Sequence, residues 1–504
     1  MRLFIFYFVF TSFLISQEKI SELHTREWVD SVYNSLSLEE KVGQLFVNWV
    51  SPEQSDYNQI EKLVVEQKIG GLIFSIGNPF THIEWMNKYQ SKAKTPLLIA
   101  MDAEWGPAMR LDDVFAYPWN MTLGAIQDNK IVKDISKRIA QQNKLLGIHY
   151  NFSPVVDVNS NPMNPIIGNR SFGEDPENVY QKAKAYIEGH DEVGIITSLK
   201  HFPGHGDTSN DSHKTLPEIK SNLKRLNEVE LYPFKKLIDD NIVSSIMAAH
   251  ILYPSLDKKY PSSISKKIVK NLLKEKLGFE GLIVTDALDM QGVLQDPKIS
   301  VDLRAFLVGN DILLMSTDVA KGIKSISNAY KKGQISENRL SSSVKKILQA
   351  KATVNLNKYS PLSSEFILDK LNTVKDTLLY SKAMESATTL VKNKDDIIQL
   401  DPHKKYLHVS FGESGKYFYN QLNKTHKIDK YDKQTYESLF KKVDYDGLII
   451  TYQGSNTSPY NSYKIPENIV DIINKISLNN NVILNLFLNP YSLNSFSSID
   501  NIES

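Results

Sequence analysis

The chain of 504 residues contains no cysteine. Disulfide bonds, thiolate nucleophiles and thiolate metal ligands are therefore excluded, and a cysteine-free chain suits an oxidising compartment, where stray thiols are a liability. An excess of charge of one sign is also lacking, because 59 Lys and Arg residues stand against 58 Asp and Glu residues, for a net charge of +1. There is no basic stripe to attract nucleic acid and no acidic tail, so a nucleic-acid partner is not expected.

Long hydrophobic runs are missing beyond the first residues. At the N-terminus, Arg2 precedes the apolar residues 3–15, and the small Ser16 precedes the polar Gln17. This order is typical of a secretory signal peptide, and the run is shorter than the roughly 20 residues of a membrane span. We therefore predict a signal peptide at 1–16 and a secreted or periplasmic protein with no stable membrane span after cleavage. A single-span anchor is the alternative.

Short apolar runs alternate with helix-like stretches in the first two thirds of the chain. Eight such runs occupy residues 42–50, 70–77, 96–102, 149–158, 194–202, 243–251, 281–287 and 311–317. This alternation predicts an α/β fold, a TIM-like (β/α)8 barrel over 17–350, with a doubly wound open sheet as the alternative. Polar residues lie at or just after the ends of these runs, where barrel active sites gather: Asp102, Asp157, Lys200, His201, His250 and Asp286.

A second, smaller unit follows the predicted barrel. Residues 351–375 are rich in polar and turn residues and are predicted to form a linker. Residues 376–504 again alternate helix-like and strand-like runs, which predicts an α/β sandwich domain. We expect this domain to be incomplete, because the chain stops just after an apolar run.

The segment KHFPGHGDTSNDSH, residues 200–213, concentrates titratable side chains among turn residues. Its five possible metal ligands are His201, His205, Asp207, Asp211 and His213. The spacing, however, lacks the His-x-His-x-Asp-His pattern of dinuclear hydrolases, and no metal is expected. Asp211 and His213 instead suit acid/base chemistry, because a carboxylate two residues away can orient an imidazole that donates and later removes one proton. His205 and Asp207 are expected to brace the loop.

Three further segments carry candidate site residues. Asp286 follows a run of strand-forming residues and should point into the mouth of the barrel, where it would be a candidate nucleophile. Asp289 is expected to cap a helix. Arg110 and Arg170, on loops beside Lys200, offer the fixed donors that a polyhydroxylated or anionic ligand requires.

Together these segments resemble glycoside hydrolase family 3, and specifically its bacterial β-N-acetylglucosaminidases. KHFPGHGDTSNDSH is similar to the distinctive loop of that group, TDALDM to its nucleophile segment, and NRSFGEDP and MDAEWGPAMR to its substrate-binding loops. The similarity covers nearly the whole predicted barrel. It implies a retaining β-N-acetylhexosaminidase that uses no metal or other cofactor and acts on terminal N-acetylglucosamine of peptidoglycan fragments or related oligosaccharides.

The resemblance also implies roles for individual residues. Asp286 would be the nucleophile, His213 the acid/base and Asp211 its partner. The residues that would bind the sugar are Asp102, Arg110, Arg170, Lys200 and His201. The use of a histidine departs from the usual pair of carboxylates in retaining glycosidases.

The sequence departs from the family pattern at two places, and several alternative functions remain possible. Trp105 and Gly106 stand where many relatives have two glycines, and Thr285 replaces a frequent serine. The same residues could serve a β-glycoside phosphorylase or a broader β-glucosidase. A metal-dependent hydrolase and an inactive sugar-binding module are further alternatives, although all three residues of the implied catalytic set are present.

Overall fold

The structure is a computed structural model. It describes residues 24–208, 216–290, 293, 300–413 and 415–503. The predicted signal peptide, 1–16, lies outside the described residues. The chain forms two compact units, Met1–Ala387 and Thr388–Ser504. Within the described ranges, no helix combines the length and the apolar character needed to cross a membrane.

The first unit is built on parallel strands. Their bounds are β1 Phe46–Val50, β2 Gly71–Phe74, β3 Leu98–Met101, β4 Tyr150–Asn151, β5 Ile196–Thr197, β6 Leu199–Phe202, β7 Ser245–Ala248, β8 Leu282–Thr285 and β9 Leu313–Leu314. One sheet has the order β5-β4-β3-β2-β1-β9 and a second has the order β6-β7-β8. Only Ser198 separates β5 from β6, so these two segments are halves of one barrel strand.

Backbone pairing closes these strands into a ring. Phe46 of β1 pairs with Leu313 of β9. An isolated parallel bridge from Val284 to Ile312 joins β8 to the start of β9. Each of the eight predicted runs contains one strand of the ring, counting β5 and β6 together. The predicted (β/α)8 barrel is therefore confirmed, and the open-sheet alternative is wrong.

Helices precede, connect and follow the strands of the first unit. Their bounds are Leu38–Gly43, Tyr57–Val65, Pro79–Lys92, Asn120–Ala125, Asn129–Leu145, Pro176–Asp191, Leu223–Glu228, Tyr232–Asp239, Val301–Val308, Val319–Lys331, Glu337–Thr353, Ile367–Leu371 and Val374–Ala387, with a π-helical segment Lys267–Lys276. Several begin at a capping side chain that accepts a backbone N–H of the first turn, as Asp128, Asp175 and Ser336 do. Their apolar faces pack on the strands from outside, which leaves the strand tips as the place for polar chemistry.

The second unit contains one parallel sheet. Its strands are β10 Tyr406–Gly412, β11 Ile428–Lys430, β12 Gly447–Gln453 and β13 Val482–Phe487, in the order β11-β10-β12-β13. Helices Lys416–Leu422 and Glu467–Ser477 accompany it, and Val409, Ile450 and Ile473 lie in its core. The prediction of a second α/β unit is confirmed.

The second unit begins at Thr388, later than the predicted boundary at 376. The intervening helix, Val374–Ala387, packs on the barrel through Ala383. Asp376, which is fully buried, accepts hydrogen bonds from Arg138 Nε at 2.6 Å and from the Thr373 hydroxyl at 2.7 Å. The predicted linker thus ends in residues that belong to the first unit, because a buried ion pair, which the local sequence does not reveal, attaches them to the barrel.

Asp376→Ala should destabilise the first unit by about 3 kcal/mol, since it leaves a largely buried guanidinium without its carboxylate. Burial raises the pKa of Asp376, but the hydrogen bonds from Arg138 and Tyr117 outweigh it and hold the pKa at about 2. An unfolded aspartate titrates near ~3.9, so this contribution is present above that pH and is lost as the pH falls toward 2. The difference in free energy of unfolding between wild type and the Asp376→Ala variant should therefore become smaller as the pH is lowered from 4 to 2.

Urea unfolding followed by tryptophan fluorescence measures this effect, because all 5 tryptophans precede residue 120 and report on the first unit alone. Asp369→Asn is the control, since Asp369 is exposed on the neighbouring helix Ile367–Leu371. Equal unfolding midpoints for the Asp376→Ala and Asp369→Asn variants would contradict the conclusion that the Asp376–Arg138 ion pair stabilises the first unit.

Candidate active site

The side chains that can do chemistry meet at the carboxyl-terminal rim of the barrel. Asp102 follows β3, Lys200 and His201 lie within β6, His250 follows β7 and Asp286 follows β8. Parallel strands that close into a barrel present all these ends on one face. Most of the residues expected at the strand tips from the sequence are therefore neighbours in the fold.

Five charged residues form one continuous chain of ion pairs, which we call the ion-pair network. Lys200 Nζ lies 2.8 Å from Asp102 Oδ1 and 2.8 Å from Glu104 Oε1. Asp102 Oδ2 accepts from Arg110 Nη2 at 2.8 Å, and Glu104 Oε1 accepts from Arg170 Nη2 at 2.7 Å. The order is Arg110, Asp102, Lys200, Glu104, Arg170, and the last three are buried.

The network keeps its carboxylates ionised. Burial raises the pKa of Glu104, but the charges of Arg170 and Lys200 outweigh it and hold the pKa at about 2. Asp102 is held well below its usual pKa in the same way, by Lys200 and Arg110. Burial lowers the pKa of Lys200, yet the two carboxylates raise it overall. Three cations and two anions thus present fixed donors and acceptors, which suits a polyhydroxylated ligand.

Buried polar side chains fix the backbone that carries this network. The Tyr186 hydroxyl lies 3.2 Å from the carbonyl oxygen of Ala103 and 3.1 Å from that of Glu104. Asn151, at the end of β4, accepts from the Ala103 N–H at 3.0 Å. The turn after β3 is therefore held from two neighbouring elements, so that the carboxylates on either side of Ala103 face Lys200.

In the described part of the chain, the groups that act on the Asp286 carboxylate are a backbone N–H and imidazoles rather than other carboxylates. Its Oδ1 accepts from the Ala287 N–H at 2.9 Å, and in the described part of the chain no hydrogen bond is made to its other oxygen. Burial raises the pKa of Asp286, but the nearby imidazoles of His201 and His250 and the Ala287 N–H outweigh it, so the pKa lies below its usual value. The side chain is half-buried. An ionised carboxylate with one free oxygen is what nucleophilic attack requires.

Among the described residues, three histidines lie near Asp286, and they have different partners. His201 Nδ1 lies 2.7 Å from Asp157 Oδ2, and His205 Nδ1 lies 2.9 Å from the Thr208 hydroxyl. His250 Nε2 donates to the Ala287 carbonyl oxygen at 2.9 Å. Within the described ranges, no three His, Asp and Glu side chains are arranged as ligands of one metal ion.

The structure brings together the five predicted sugar-binding residues, since His201 adjoins Lys200 in β6 and the other four belong to the network. His205 and Asp207 bond within the fold, the latter to Arg225 at 3.2 Å, as expected of bracing residues. Asp211 and His213 lie outside the described residues, so their roles stay predictions.

Two residues of the site were not assigned a role from the sequence. Glu104 forms ion pairs with both Lys200 and Arg170. The one feature of the sequence that could have indicated this role is its position two residues after Asp102, at the same strand end. Asp157 lies at another predicted strand end. Its hydrogen bond to His201 joins two different strands, so the spacing of residues in the sequence does not predict it.

Comparison with known proteins identifies the family. The family described as glycosyl hydrolase family 3 N-terminal domain matches residues 37–350. The chain belongs to glycoside hydrolase family 3. It is 31% identical over 395 residues to β-hexosaminidase A of Pseudoalteromonas piscicida, an alignment that covers 71% of this chain and 65% of that relative. The chain therefore spans less than two thirds of that relative's length.

Solved structures agree with this family membership. A glycoside hydrolase family 3 β-N-acetylglucosaminidase from Paenibacillus sp. str. FPU-7 superposes with a TM-score of 0.73 at 27% identity and covers 93% of both chains. A β-glucoside phosphorylase superposes with a TM-score of 0.78 at 23% identity, covering 93% of this chain and 89% of its own, and supports the fold alone.

The ion-pair network should behave as one unit in a double-mutant cycle. We expect Glu104→Gln and Arg170→Met, singly and together, to show a coupling free energy of roughly 1–3 kcal/mol in urea unfolding, because each single variant leaves a buried partner uncompensated. Lys184→Met and Asp240→Asn are the control pair, since their 2.8 Å ion pair is more exposed and should couple by less than about 1 kcal/mol. Strict additivity in the first cycle would contradict the network.

Proposed function

We propose that the protein is an exported, retaining β-N-acetylhexosaminidase that removes terminal β-linked N-acetylglucosamine from peptidoglycan fragments or related oligosaccharides. The observation that carries this proposal is Asp286, an ionised carboxylate at the tip of β8 with one oxygen bonded to a backbone N–H. A carboxylate so placed is suited to attack an anomeric carbon. The names of family members support the acetamido sugar, since the relative from P. piscicida is a β-hexosaminidase and the Paenibacillus enzyme is a β-N-acetylglucosaminidase.

The proposed mechanism has two displacements. In the first, an Asp286 oxygen bonds to the anomeric carbon, the bond to the glycosidic oxygen breaks, and His213 donates a proton to that oxygen. In the second, His213 removes a proton from water as the water oxygen displaces Asp286, which restores the original anomeric configuration. Asp211 stabilises the imidazolium form of His213. The parts of His213 and Asp211 rest on the family resemblance.

The ion-pair network supplies the sugar-binding surface in this proposal. The guanidinium groups of Arg110 and Arg170 and the ammonium of Lys200 donate, and the Asp102 carboxylate accepts, so several hydroxyl groups are recognised at once. The charges are already paired before the substrate arrives, so little reorganisation accompanies binding.

Hydrolysis of 4-nitrophenyl N-acetyl-β-D-glucosaminide tests the proposal. Asp286→Asn should reduce the release of 4-nitrophenol below detection, whereas Asp289→Asn, three residues further along, should leave it near wild type. His213→Ala should slow turnover by roughly 10²- to 10⁴-fold, and most strongly for glycosides whose leaving group needs protonation. Added azide should yield a β-glycosyl azide from the His213 variant, because azide needs no base to attack a glycosyl-enzyme. Activity independent of Asp286 would overturn the mechanism.

The same assay separates the alternatives. Equal rates on the glucoside and the N-acetylglucosaminide would indicate a broader β-glucosidase. A sugar 1-phosphate as the main product in phosphate buffer would indicate a phosphorylase. Loss of activity on chelation with rescue by zinc or manganese would indicate a metal-dependent hydrolase, and absence of turnover with retained binding would indicate a sugar-binding module.

Export is the second part of the proposal and is supported by the order of Arg2, the apolar residues 3–15 and Ser16. The mature protein recovered from fractionated cells should begin within a few residues of Gln17 and be found outside the cytoplasm. Recovery of the intact N-terminus from the cytoplasmic fraction would contradict export. Recovery of the intact N-terminus from the membrane fraction would support the anchor.

A further inference from the structure

Buried polar side chains connect the outside of the barrel to residues 102–104, the turn after β3, which we call the sugar-binding turn. The three members of this buried polar cluster are Ser136, His190 and Asn151, all of them fully buried. Ser136 and His190 lie on two different outer helices, whereas Asn151 ends β4. A polar group in such a place is costly unless it is hydrogen-bonded, so the bonds within the cluster determine how its members are oriented.

The amide of Asn151 is fixed in one orientation by the sugar-binding turn. Its Oδ1 accepts from the Ala103 N–H at 3.0 Å, so the other end of the amide is the NH2 group. That nitrogen, Nδ2, lies 3.2 Å from the Ala103 carbonyl oxygen and 3.0 Å from His190 Nε2. Asn151 thus bonds both backbone groups of Ala103 and has a second N–H left for His190.

The orientation of the amide also determines the tautomer of His190. Because an amide N–H of Asn151 is directed at Nε2, that nitrogen accepts and carries no proton. Nδ1 then carries the single proton of the neutral ring, and it lies 2.7 Å from the Ser136 hydroxyl oxygen. The hydroxyl group donates to the backbone carbonyl oxygen of Tyr186, so its oxygen accepts from Nδ1. Each of these bonds joins one donor to one acceptor.

The surroundings of His190 favour the same neutral form. An imidazolium would place an N–H against the Asn151 NH2 group and break that bond. Burial lowers the pKa of His190 to about 3, so the ring takes up no second proton in the neutral range. The ring also stacks on Tyr186, with 4.7 Å between the centroids, and the Tyr186 hydroxyl lies within 3.2 Å of the carbonyl oxygens of Ala103 and Glu104. His190 is therefore held against the two side chains that contact the sugar-binding turn.

We propose that His190, on an outer helix, is a positioning residue for the sugar-binding turn. Its Nδ1–H tautomer presents a lone pair at Nε2 that fixes the Asn151 amide, and the amide fixes the backbone of Ala103. Asp102 and Glu104, on either side of Ala103, are thereby held where the ion-pair network and the bound sugar require them. The part of this turn in sugar binding rests on the glycosidase function proposed above.

Two substitutions of similar length separate the hydrogen bond from the packing. The amide oxygen of His190→Gln can accept from Asn151, whereas the thioether of His190→Met fills the space but accepts only weakly. His190→Met should raise KM for 4-nitrophenyl N-acetyl-β-D-glucosaminide, and the Kd for N-acetylglucosamine, by roughly tenfold, because a buried N–H is left unpaired beside the turn. Its kcat should change much less, since the lost interaction supports binding rather than bond breaking. His190→Gln should stay near wild type in both constants.

His82→Met is the matched control, because His82 is an equally buried imidazole on another outer helix. In the described part of the chain its hydrogen bond, from Nε2 at 2.8 Å, goes to the Leu146 carbonyl oxygen rather than to the sugar-binding turn. This variant should lower the melting temperature and keep the wild-type KM. A wild-type KM in His190→Met, or an equal rise of KM in His190→Gln and His190→Met, would overturn the proposal.

A measurement without substrate separates this inference from the function. In the wild-type protein labelled with ¹⁵N-histidine, NMR should show His190 with a protonated Nδ1 and an unprotonated Nε2 at pH 7. The signals are assigned by their loss in His190→Gln or, if that variant fails to fold, by their shift in Ser136→Ala. The reverse tautomer or an imidazolium would overturn the proposal. If wild type neither binds nor hydrolyses N-acetylglucosaminides, the proposed function fails, and the tautomer still decides whether His190 fixes the Asn151 amide.

Discussion

The site depends on the ammonium group of Lys200, which is buried between Asp102 and Glu104. Removing such charges from water costs several kcal/mol for each ion, and only close pairing with good geometry offsets it. Each of the two carboxylates meets this requirement by bonding a second cation, Arg110 or Arg170. The turn after β3, the tip of β6 and the loop that carries Arg170 are thereby held to one another, and a shift in any of them would leave a buried charge unpaired.

Carboxylates at this rim are kept ionised in two ways. Asp102 and Glu104 face guanidinium and ammonium groups, whose charge persists across the whole physiological pH range. Asp157 and Asp286 lie near imidazoles instead, and the neighbouring His201 ring together with hydrogen bonds from N–H groups outweighs burial, so that the pKa of each carboxyl group lies below its usual value. One part of the rim is therefore held by permanent charges, and the other is held by imidazole and backbone donors.

The fold could be predicted from the sequence because a closed parallel barrel imposes a simple pattern. Strands buried on both faces read as short apolar runs, and each of the eight runs contains a strand of the ring. The strand tips could be predicted for the same reason, since Asp102, Lys200 and Asp286 interrupt or follow apolar residues. Pairing across the rim could not, because Glu104 and Asp157 acquire their roles from partners on other strands. The boundary after the barrel was misplaced for a similar reason, as Asp376 is joined to Arg138 only in three dimensions.

The tip of β6 is the point at which the two halves of the site meet. Lys200 belongs to the ion-pair network, and His201, its neighbour in the chain, bonds to Asp157 and lies near Asp286. One strand end therefore fixes the distance between the Lys200 ammonium and the His201 imidazole. Since the backbone here is also bonded to Asp157 through the N–H groups of His201 and His205, the two side chains start from one fixed segment of backbone. In the proposed function, a substrate that contacts Lys200 would meet His201 in a fixed position, because folding has already ordered both side chains.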